Sequence, residues 1–496
     1  MAFSFADLFA GIGGFHAAFG AMGGEMWFAS EIDRNATAVY DYNWCRPLRT
    51  GSQDDRQKRV HGDIVPLTEG RIAVPPTDVL AGGFPCQPFS KSGFQRGIEE
   101  TRGTLFWNIA RILEEHQPSV IFLENVRNLA GPNHRDTWAT IVRTLRTLGY
   151  RVASRPAIFS PHLLPPDLGG RPQVRERVFI LAHKVKAGAP KDLDDPIVTA
   201  QPVGKWDPQS WDLRKHLPLQ AEDEIEHLDR YSLSRDEVKI INEWERLLLE
   251  VAERLGPGER LPGFPIWADH FRSVEEAEAM IDRADLDETP IPKWKRDFLR
   301  KNAMFYERHR DVIDPWLPGI ADFPPSRRKF EWQAQDPRPL DDTIMHFRPS
   351  GVRVKQPTYV PALVAITQTS IIGKSRRITP REAARLQGLP DWFEFKHEGP
   401  DGTVYEQPDA ASYKQMGNGV NVGAVFYAFR KYVLEHQDEI AETAPNVVEA
   451  VIDAGDDPDA LLKNRPLHSS PLSVGPESGS RGMVDGAFRH PEPLLG

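Results

Sequence analysis

A candidate for nucleophilic chemistry is the thiol of Cys86, one of two cysteines, within Gly82-Gly83-Phe84-Pro85-Cys86-Gln87-Pro88-Phe89-Ser90. The run Asp78–Ala81 before it predicts a short buried strand that ends at the two glycines. Pro85 and Pro88 fix φ on either side, so the thiol is presented at the tip of a strand, where α/β enzymes place catalytic groups. A nucleophile is one interpretation. A small buried apolar side chain, the commoner role of a lone cysteine, is the other.

Further polar residues stand where they could complete a site around this thiol. Glu124 follows the predicted strand Val120–Leu123, so its carboxylate lies beside Cys86 if the two strands are neighbours in one sheet. A solvated glutamate at a strand end is the alternative. Alternation ahead of the strand Val178–Leu181 places three polar residues on one face: Gln173, Arg175 and Arg177. This face suits a polar, anionic ligand, although a charged edge strand would show the same pattern.

A glycine-rich segment, Asp7–Phe15, joins the first predicted strand to the first helix. Glycines let the backbone approach a ligand, and Glu31, at the end of the second predicted strand, stands where an acid meets ribose hydroxyls. The segment therefore predicts a nucleoside-containing cofactor. The spacing does not separate a dinucleotide from S-adenosylmethionine, although the departure from G-x-G-x-x-G disfavours a dinucleotide. Asp63 is either a third cofactor contact or a turn residue.

Composition places the chain among globular proteins of a reducing compartment. Its 496 residues have room for two or three domains, and 40% of them are hydrophobic. Two cysteines exclude a disulfide framework. We find no signal peptide and no apolar run of the ~18–20 residues that a membrane helix needs, so we expect a cytoplasmic protein without a membrane partner.

The net charge of −10 is concentrated near one end of the chain. Residues 435–461 hold nine Asp and Glu and no Lys or Arg, so the remainder is close to neutral and can present basic faces to a nucleic acid. Sequence rich in Pro, Gly and Ser follows to the last residue. This composition predicts a poorly ordered acidic tail over 438–496.

The segment 1–185 alternates between strand and helix patterns, which is typical of a parallel α/β sheet. The predicted strands are Phe3–Leu8, Met26–Glu31, Asp78–Ala81, Val120–Leu123 and Val178–Leu181. The predicted helices are Phe15–Met22, Asn35–Tyr42, Leu105–Glu115 and Thr137–Leu148. Over 186–375 proline and tryptophan become frequent, and one long amphipathic helix spans Asp236–Leu255, so we expect an inserted domain there. Regular structure resumes at the N-cap Thr379, and a last helix covers 422–434 within a return segment 376–437.

Taken in order, these segments resemble the DNA cytosine-5 methyltransferase family. The matching segments are Asp7–Phe15, Glu31, Gly62-Asp63-Ile64, Pro85-Cys86-Gln87, Glu124-Asn125-Val126, Gln173/Arg175/Arg177, Arg377–Leu389 and Gly417-Asn418-Gly419-Val420. The resemblance implies a Rossmann-like sheet that uses S-adenosylmethionine, and a target-recognition domain of irregular α+β structure over 186–375. It also implies that the last helix packs beside the first strand and completes the cofactor site.

The resemblance assigns a role to each matching residue. Cys86, in the Pro-Cys-Gln motif with Gln87, would add to C6 of cytosine; Glu124 would protonate or hydrogen-bond N3; Arg177 would hold O2, and Arg175 would lie near the phosphates. The cofactor contacts would be Phe9, Gly11, Gly13, Glu31, Ile32, Asp63, Asn418 and Gly419, and no metal is implied. The segment Ser90–Gly97 would close over a flipped base. Two positions depart from the family pattern: Gly419 replaces a usual Ser, and Ile32 a common aromatic residue.

The implied substrate is double-stranded DNA, and the implied setting is a monomeric bacterial modification enzyme, with any restriction endonuclease acting separately. An RNA cytosine-5 methyltransferase is the nearest alternative, but the tRNA enzymes carry a smaller insert. The intact residues Cys86, Glu124 and Arg177 argue against a non-catalytic DNA-binding relative. A nicotinamide-dependent oxidoreductase would explain residues 7–31 but nothing at 82–90 or 173–177. Five basic residues around the end of the insert could track phosphates, with a solvated helix face as the alternative for the last two: Lys374, Arg376, Arg377, Arg381 and Arg385. Three others could reach base edges: Arg348, Arg353 and Lys355.

Overall fold

The first strand, β1 (Phe3–Leu8), is buried along its whole length, as an apolar strand in the middle of a sheet must be. The computed structural model describes residues 2–46, 60–85, 104–193, 195–217, 219–287, 289–364 and 370–463. The other strands of its sheet are β2 (Gly24–Ser30), β3 (Val60–His61), β4 (Val79–Gly83), β5 (Val120–Val126), β6 (Tyr150–Ala153), β7 (Ala157–Phe159), β9 (Arg177–Lys184) and β10 (Asp192–Leu193). Their order is β10-β6-β9-β5-β4-β1-β2-β3, and β7 pairs with β9.

Helices cover both faces of this first sheet. Alternate residues of β1 enter two different cores, since Phe3 and Phe5 belong to one and Ala6 and Leu8 to the other. The helices of this part are α1 (Gly14–Ala21), α2 (Arg34–Tyr40), α3 (Ile64–Thr68), α4 (Leu105–His116) and α5 (Arg135–Thr147), and a π-helical turn, Asp41–Cys45, extends α2. The fold is therefore α/β, and the strands and helices predicted within 1–185 are confirmed, with small differences at their ends.

The direction of the strands brings the predicted site residues to one edge. β5, β4, β1, β2 and β3 run parallel, so their carboxyl ends meet at the same edge of the sheet. β9 is antiparallel to β5 and begins at that edge, where Arg177 pairs with Val126. In the neighbouring pair of strands, Gly83 lies opposite Glu124. Ligands bind at this edge of open α/β sheets.

A second sheet has a hydrophobic core of its own. Its strands are β11 (Ile266–Trp267), β12 (Lys329–Gln333), β13 (Ile344–Arg348), β14 (Gly351–Lys355), β16 (Ile371–Ile372) and β17 (Arg376–Arg377), in the order β11-β12-β14-β13-β16-β17. The helices between residues 213 and 316 are α6 (Leu213–His216), α7 (Arg235–Ala252), α8 (Val274–Leu286), α9 (Lys293–Arg308) and α10 (Arg310–Trp316). The long helix predicted over 236–255 is α7, which begins at a capping box formed by Ser234 and Glu237. Its apolar face packs on the inner side of the second sheet.

The predicted start of the insert at residue 186 is too early. β10 still belongs to the first sheet, and Leu213 and Leu217 pack in the first core. The buried residues of the second core begin at Ile240. The intervening segment contains little regular structure, and its few apolar residues, spread among prolines and charged residues, show no periodicity from which to assign it.

The chain returns to the first sheet after residue 377. A two-stranded ladder joins β8 (Gln173–Val174) to β15 (Val360–Pro361), and β18 (Lys396–Glu398) forms a hairpin with β19 (Val404–Glu406). The helices here are α11 (Pro380–Gln387), α12 (Asp409–Asn418) and α13 (Val422–Glu435). Thr379 caps α11 as predicted, with Glu382 completing the capping box. α13 packs beside β1, where the Phe3 and Phe429 ring centroids are 6.2 Å apart.

The prediction of a poorly ordered tail from residue 438 is wrong for residues 438–463. They form α14 (Gln437–Ala441), α15 (Pro445–Asp453) and α16 (Pro458–Leu462). Val447 and Val451 are buried in the first core, and Trp392 donates from Nε1 to the Leu462 carbonyl at 2.8 Å. The acidic residues occupy the outer side of short helices whose few apolar residues face inward, so average composition hid their order. None of the helices in the described part of the chain is long and apolar enough to cross a membrane.

Candidate active site and cofactor site

Glu124, which is buried, forms an ion pair with the half-buried Arg177 at the carboxyl edge of the first sheet. Arg177 Nε lies 2.8 Å from Glu124 Oε1, and the Arg177 Nη1 group donates to the Glu176 carbonyl at 2.9 Å. The pairing of β5 with β9 brings the two side chains together. Burial raises the pKa of Glu124, and the positive charges of Arg177 and Arg175 only partly oppose that shift. Burial therefore favours the neutral form of the Glu124 carboxyl more than an exposed position would.

The segment that leads to Cys86 is fixed to the same pair of strands. Asn125 Nδ2 donates to the Phe84 carbonyl at 2.8 Å, and the Phe84 ring packs on Phe106. A β-carbon added at Gly83 would lie 3.2 Å from Glu124 Oε2, so Glu124 sits against the end of β4. Cys86, Gln87 and the segment Ser90–Gly97 lie outside the described residues. The sequence did not predict that the side chain of Asn125, the residue after Glu124, holds this segment by its hydrogen bond to Phe84.

Arg175 has a different position from the one that the resemblance implied. Only 1% of the residue is exposed, and its guanidinium donates to three carbonyls: Gly417 at 2.8 Å, Gly419 at 2.6 Å and Leu363 at 3.0 Å. An arginine enclosed in this way cannot also contact phosphates on the protein surface. Its role is to position the turn before α13 relative to the strand that carries Arg177. Gln173 is also buried, and its side-chain amide has no hydrogen-bond partner among the described residues.

The loop after β1 has the shape of a nucleoside cradle. Phe9 and Gly11 both have φ of +56°, and nothing lies within 4 Å of a β-carbon built at Gly11. Glu31 closes one side of the loop, since its Oε2 accepts from the Gly11 amide at 2.8 Å and its Oε1 from the Asp33 amide at 2.7 Å. The open space above Gly11 and the carboxylate beside it fit a ribose whose hydroxyls donate to Glu31.

The residues that surround this cradle include the acidic side chains of Asp33 and Asp63 and the apolar side chain of Ile32. Ile32 is 70% exposed at the carboxyl end of β2, and Asp63, which is exposed and caps α3, follows β3. Asp33 caps α2 and pairs with Lys414 at 2.7 Å. Carboxylates suit hydroxyls, an amine and the cationic sulfonium and ammonium groups of S-adenosylmethionine, and they repel a pyrophosphate. The residues present therefore fit S-adenosylmethionine better than a dinucleotide.

The turn before α13 lies against the glycine loop. A β-carbon added at Gly14 would lie 2.9 Å from the Val420 carbonyl oxygen, so only glycine permits this close approach. Gln387 Nε2 donates to the Met416 carbonyl at 2.5 Å from the opposite side. Asn418 is exposed and Gly419 is half-buried. Asn418, at the end of α12, and Gly419 directly precede the residue that touches the loop, Val420.

The sequence pattern of the loop predicted no separate role for the carboxyl of Asp7. Its carboxyl is fully buried beneath the loop beside the Tyr40 hydroxyl, which lies 2.8 Å from His16 Nδ1. Desolvation, and secondly the charge of Glu31, raise the pKa of Asp7 well above its ordinary value. An aspartate inside an otherwise apolar strand was the signal that could have identified this buried network.

The five basic residues at the end of the insert all have partners within the protein, which argues against the predicted phosphate track. Each is engaged within the protein: Lys374 with Glu245, Arg376 with Glu382, Arg377 with Glu237, Arg385 with Asp391, and Arg381 with the Pro390 and Phe393 carbonyls. The Arg376–Glu382 pair is buried. By contrast, Arg348, Arg353 and Lys355 all belong to β13 and β14 and share one face of the second sheet.

Comparison with known proteins identifies the family of this chain. The C-5 cytosine-specific DNA methylase family matches residues 3–433. The type II methyltransferase M.AluI of Cellulosimicrobium cellulans is 43% identical over 93% of this chain and 97% of its own length. M.HhaI of Haemophilus parahaemolyticus is 38% identical over 36% of this chain and 49% of its own length. Among solved structures, the S. pombe Dnmt2 methyltransferase aligns at 16% identity with a TM-score of 0.47, over 88% of this chain and 99% of that one. The chain belongs to the C-5 cytosine-specific DNA methylase family and is a DNA cytosine-5 methyltransferase.

Proposed function

We propose that this enzyme methylates C5 of cytosine in a specific double-stranded DNA sequence, using S-adenosylmethionine and a covalent bond between Cys86 and C6 of the base. The observation that carries the proposal is the Glu124–Arg177 pair, which lies beside the segment leading to Cys86. A neutral carboxyl and a guanidinium at one edge can recognise N3 and O2 of cytosine together.

The chemistry requires that C5 of cytosine first become electron-rich. The Cys86 thiolate adds to C6, and a proton from the Glu124 carboxyl to N3 makes that addition easier. C5 then has the character of an enamine carbon. When bound, S-adenosylmethionine supplies the electrophilic methyl group that this carbon accepts. Water takes the C5 proton, and elimination of the Cys86 thiolate returns the N3 proton to the Glu124 carboxylate. The free enzyme is thereby restored, with 5-methylcytosine and S-adenosylhomocysteine as products.

Arg177 keeps donors for the base. Its Nε faces Glu124 and one N–H of its Nη1 donates to the Glu176 carbonyl, while its Nη2 makes no hydrogen bond to a described residue. We assign this group to O2 of cytosine. Arg175 stays within the protein and fixes the turn at Gly417 and Gly419. It is therefore a positioning residue and no longer a member of the catalytic set.

The residues of the cradle would hold the cofactor by its separate chemical groups. Glu31 would accept from the ribose hydroxyls, and Asp63 from the adenine amine. Phe9 and Ile32 would pack on the adenine, while Gly11 and Gly13 allow the backbone to approach. Asn418 and Gly419 would close the methionine end. Because Ile32 offers an aliphatic surface where an aromatic ring would stack, we expect its contribution to adenine binding to be modest.

The target cytosine must leave the double helix to reach this edge. C5 and C6 are inaccessible within stacked bases, so we infer that the base is flipped, at a cost of about a few kcal/mol. The second sheet and its helices would act as the target-recognition region. Since M.AluI is a type II methyltransferase, we place this enzyme in a restriction-modification system of the bacterial cytoplasm, acting as a monomer and apart from any endonuclease.

Transfer of tritium from labelled S-adenosylmethionine tests the substrate directly. The purified enzyme should label duplex DNA at C5 of cytosine and leave tRNA unlabelled, and bisulfite sequencing of DNA from a host that expresses the chain should reveal one short target sequence. Labelling of tRNA with no labelling of DNA would contradict the proposal.

A further inference from the structure

The outer face of the second sheet carries a group of cationic side chains organised around a single carboxylate. We propose that this face reads guanine in the target DNA, that Arg353 donates to the base edge, and that Glu331 positions Arg353 for that contact. The inference rests on the proposed function, because it concerns the DNA that this enzyme methylates. It adds a base type and two residues that determine specificity.

Alternation along the strands separates this face from the core. Phe330, Trp332, Val352 and Val354 point inward. The residues between and beside them form the outer face: Lys329, Glu331, Gln333, His346, Arg348, Arg353 and Lys355. Four of these seven side chains are Lys or Arg and one is acidic, so the outer face attracts a polyanion.

The outer face adjoins the catalytic part of the protein. Ile344, at the start of β13 and on the same face as His346, packs in the first core. Lys355 Nζ lies 5.4 Å from the ring centroid of Tyr359, and that ring lies 5.4 Å from the ring of His162. Val360 then pairs with Gln173, on the short strand that precedes Arg177. A duplex on this face therefore lies next to the sheet edge that accepts the flipped cytosine.

Glu331 binds two arginines at once. Its Oε2 accepts from Arg353 Nε at 2.6 Å, and its Oε1 lies 2.9 Å from Arg348 Nη2. The carboxylate is mostly enclosed, with 19% of the side chain exposed, whereas 33% of the Arg353 side chain is exposed. Neither Nη nitrogen of Arg353 has a hydrogen-bond partner among the described residues. The guanidinium is held by its Nε, and its two Nη groups remain for a ligand.

This arrangement suits a base edge better than a phosphate. A guanine presents O6 and N7 side by side in the major groove, and a guanidinium can donate to both at once. Two simultaneous hydrogen bonds to guanine require a fixed orientation of the guanidinium. The hydrogen bond from Arg353 Nε to the Glu331 carboxylate provides that orientation. A contact with a phosphate needs charge but little orientation, and a free lysine would serve equally well.

DNA in which 7-deazaguanine replaces guanine tests this directly, since the analogue keeps its base pairing and lacks the N7 acceptor. The assay is tritium transfer at limiting DNA, with amplified duplexes that contain either base. The unmodified enzyme should methylate the 7-deazaguanine duplex more slowly, by at most the roughly 5- to 150-fold expected for loss of a complete bidentate pair, because O6 can still accept one hydrogen bond. Arg353→Ala should be slow on both duplexes, with the difference between them abolished, and Glu331→Gln should reduce that difference.

Arg254→Ala is the control, because Arg254 is also a partly exposed arginine, 42% exposed, that pairs with an acidic residue, Asp311, and follows α7 away from the outer face. It should keep the full difference between the two duplexes. Equal rates of the unmodified enzyme on both duplexes would overturn the proposal, as would a full difference retained by Arg353→Ala. If Arg353→Ala kept the rate difference between the two duplexes but bound DNA with a weaker dependence on salt concentration, Arg353 would contact a phosphate and not a base. Failure to label any DNA would overturn the proposed function itself.

Discussion

The two sheets of this protein present polar side chains to a ligand in different ways. On the first sheet, Glu124 lies near the carboxyl end of β5 and the glycine loop follows β1, so the direction of these parallel strands brings both to one edge. On the second sheet, Glu331, Arg348 and Arg353 come from three strands and meet only through cross-strand pairing. The first arrangement supports chemistry that a whole family shares. The second can change by single substitutions without disturbing the core, as a surface that determines specificity requires.

Glu124→Gln should have the largest effect, and it should distinguish the function of the first sheet from that of the second. The amide keeps the size of the side chain but cannot give a proton to N3, so we expect kcat to fall by about 100- to 10,000-fold. The discrimination between guanine and 7-deazaguanine should persist in the residual activity, because it belongs to the other sheet. Steady-state kinetics on both duplexes measures the two quantities together.

The pH dependence of kcat tests the same residue without mutation. Since burial raises the pKa of Glu124, the neutral carboxyl persists to a higher pH than an exposed glutamate would allow. Activity should then decrease as the pH rises through that raised pKa, and Glu124→Gln should lack this decrease. Deprotonation of the Cys86 thiol has the opposite slope, so the two groups are distinguishable. A decrease that survives in Glu124→Gln would remove Glu124 from the role of proton donor.

A smaller effect, on stability alone, is expected at the junction of the two sheets. Glu382 accepts from Arg376 Nη2 at 2.8 Å and Nη1 at 2.9 Å, and both side chains are buried. Glu382→Gln leaves the Arg376 charge uncompensated and should lower the free energy of unfolding by about 3–5 kcal/mol. Denaturant titration measures this loss. Glu237→Gln, which affects the more exposed Arg377 pair, is the control and should cost about 1 kcal/mol or less. If Glu382→Gln and Glu237→Gln lowered the free energy of unfolding equally, burial would not be the reason for the contribution of the Arg376–Glu382 pair.

The smallest effect should come from Arg385, which the sequence suggested as a phosphate contact. Arg385 pairs with the exposed Asp391 at 2.8 Å, so Arg385→Ala should change stability by less than about 1 kcal/mol. The slope of DNA affinity against salt concentration should also stay the same, because no phosphate contact is lost. A slope reduced by about one unit would return Arg385 to the DNA interface.

Sequence alone predicted the parts of the structure that depend on neighbours along the chain. The strands around the glycine loop, the placement of Glu124 at the end of β5, and the cap at Thr379 all follow from local patterns. Arg175 could not be placed in this way, because the carbonyls that enclose it belong to Leu363, Gly417 and Gly419. Glu331 carried no signal either, since both of its arginine partners lie on other strands. The helices after residue 437 were missed because acidic composition outweighed a few apolar positions such as Val451.

Covalent capture of the enzyme on DNA tests the central claim most directly. A duplex that carries 5-fluorocytosine at the target position, incubated with the full chain and S-adenosylmethionine, should yield a protein–DNA adduct that withstands denaturation, because fluorine at C5 prevents release of the Cys86 thiolate. The Cys86→Ser variant should yield none, while it still binds S-adenosylmethionine. An adduct that forms equally well with Cys86→Ser, or no adduct with the active enzyme, would contradict the proposed mechanism.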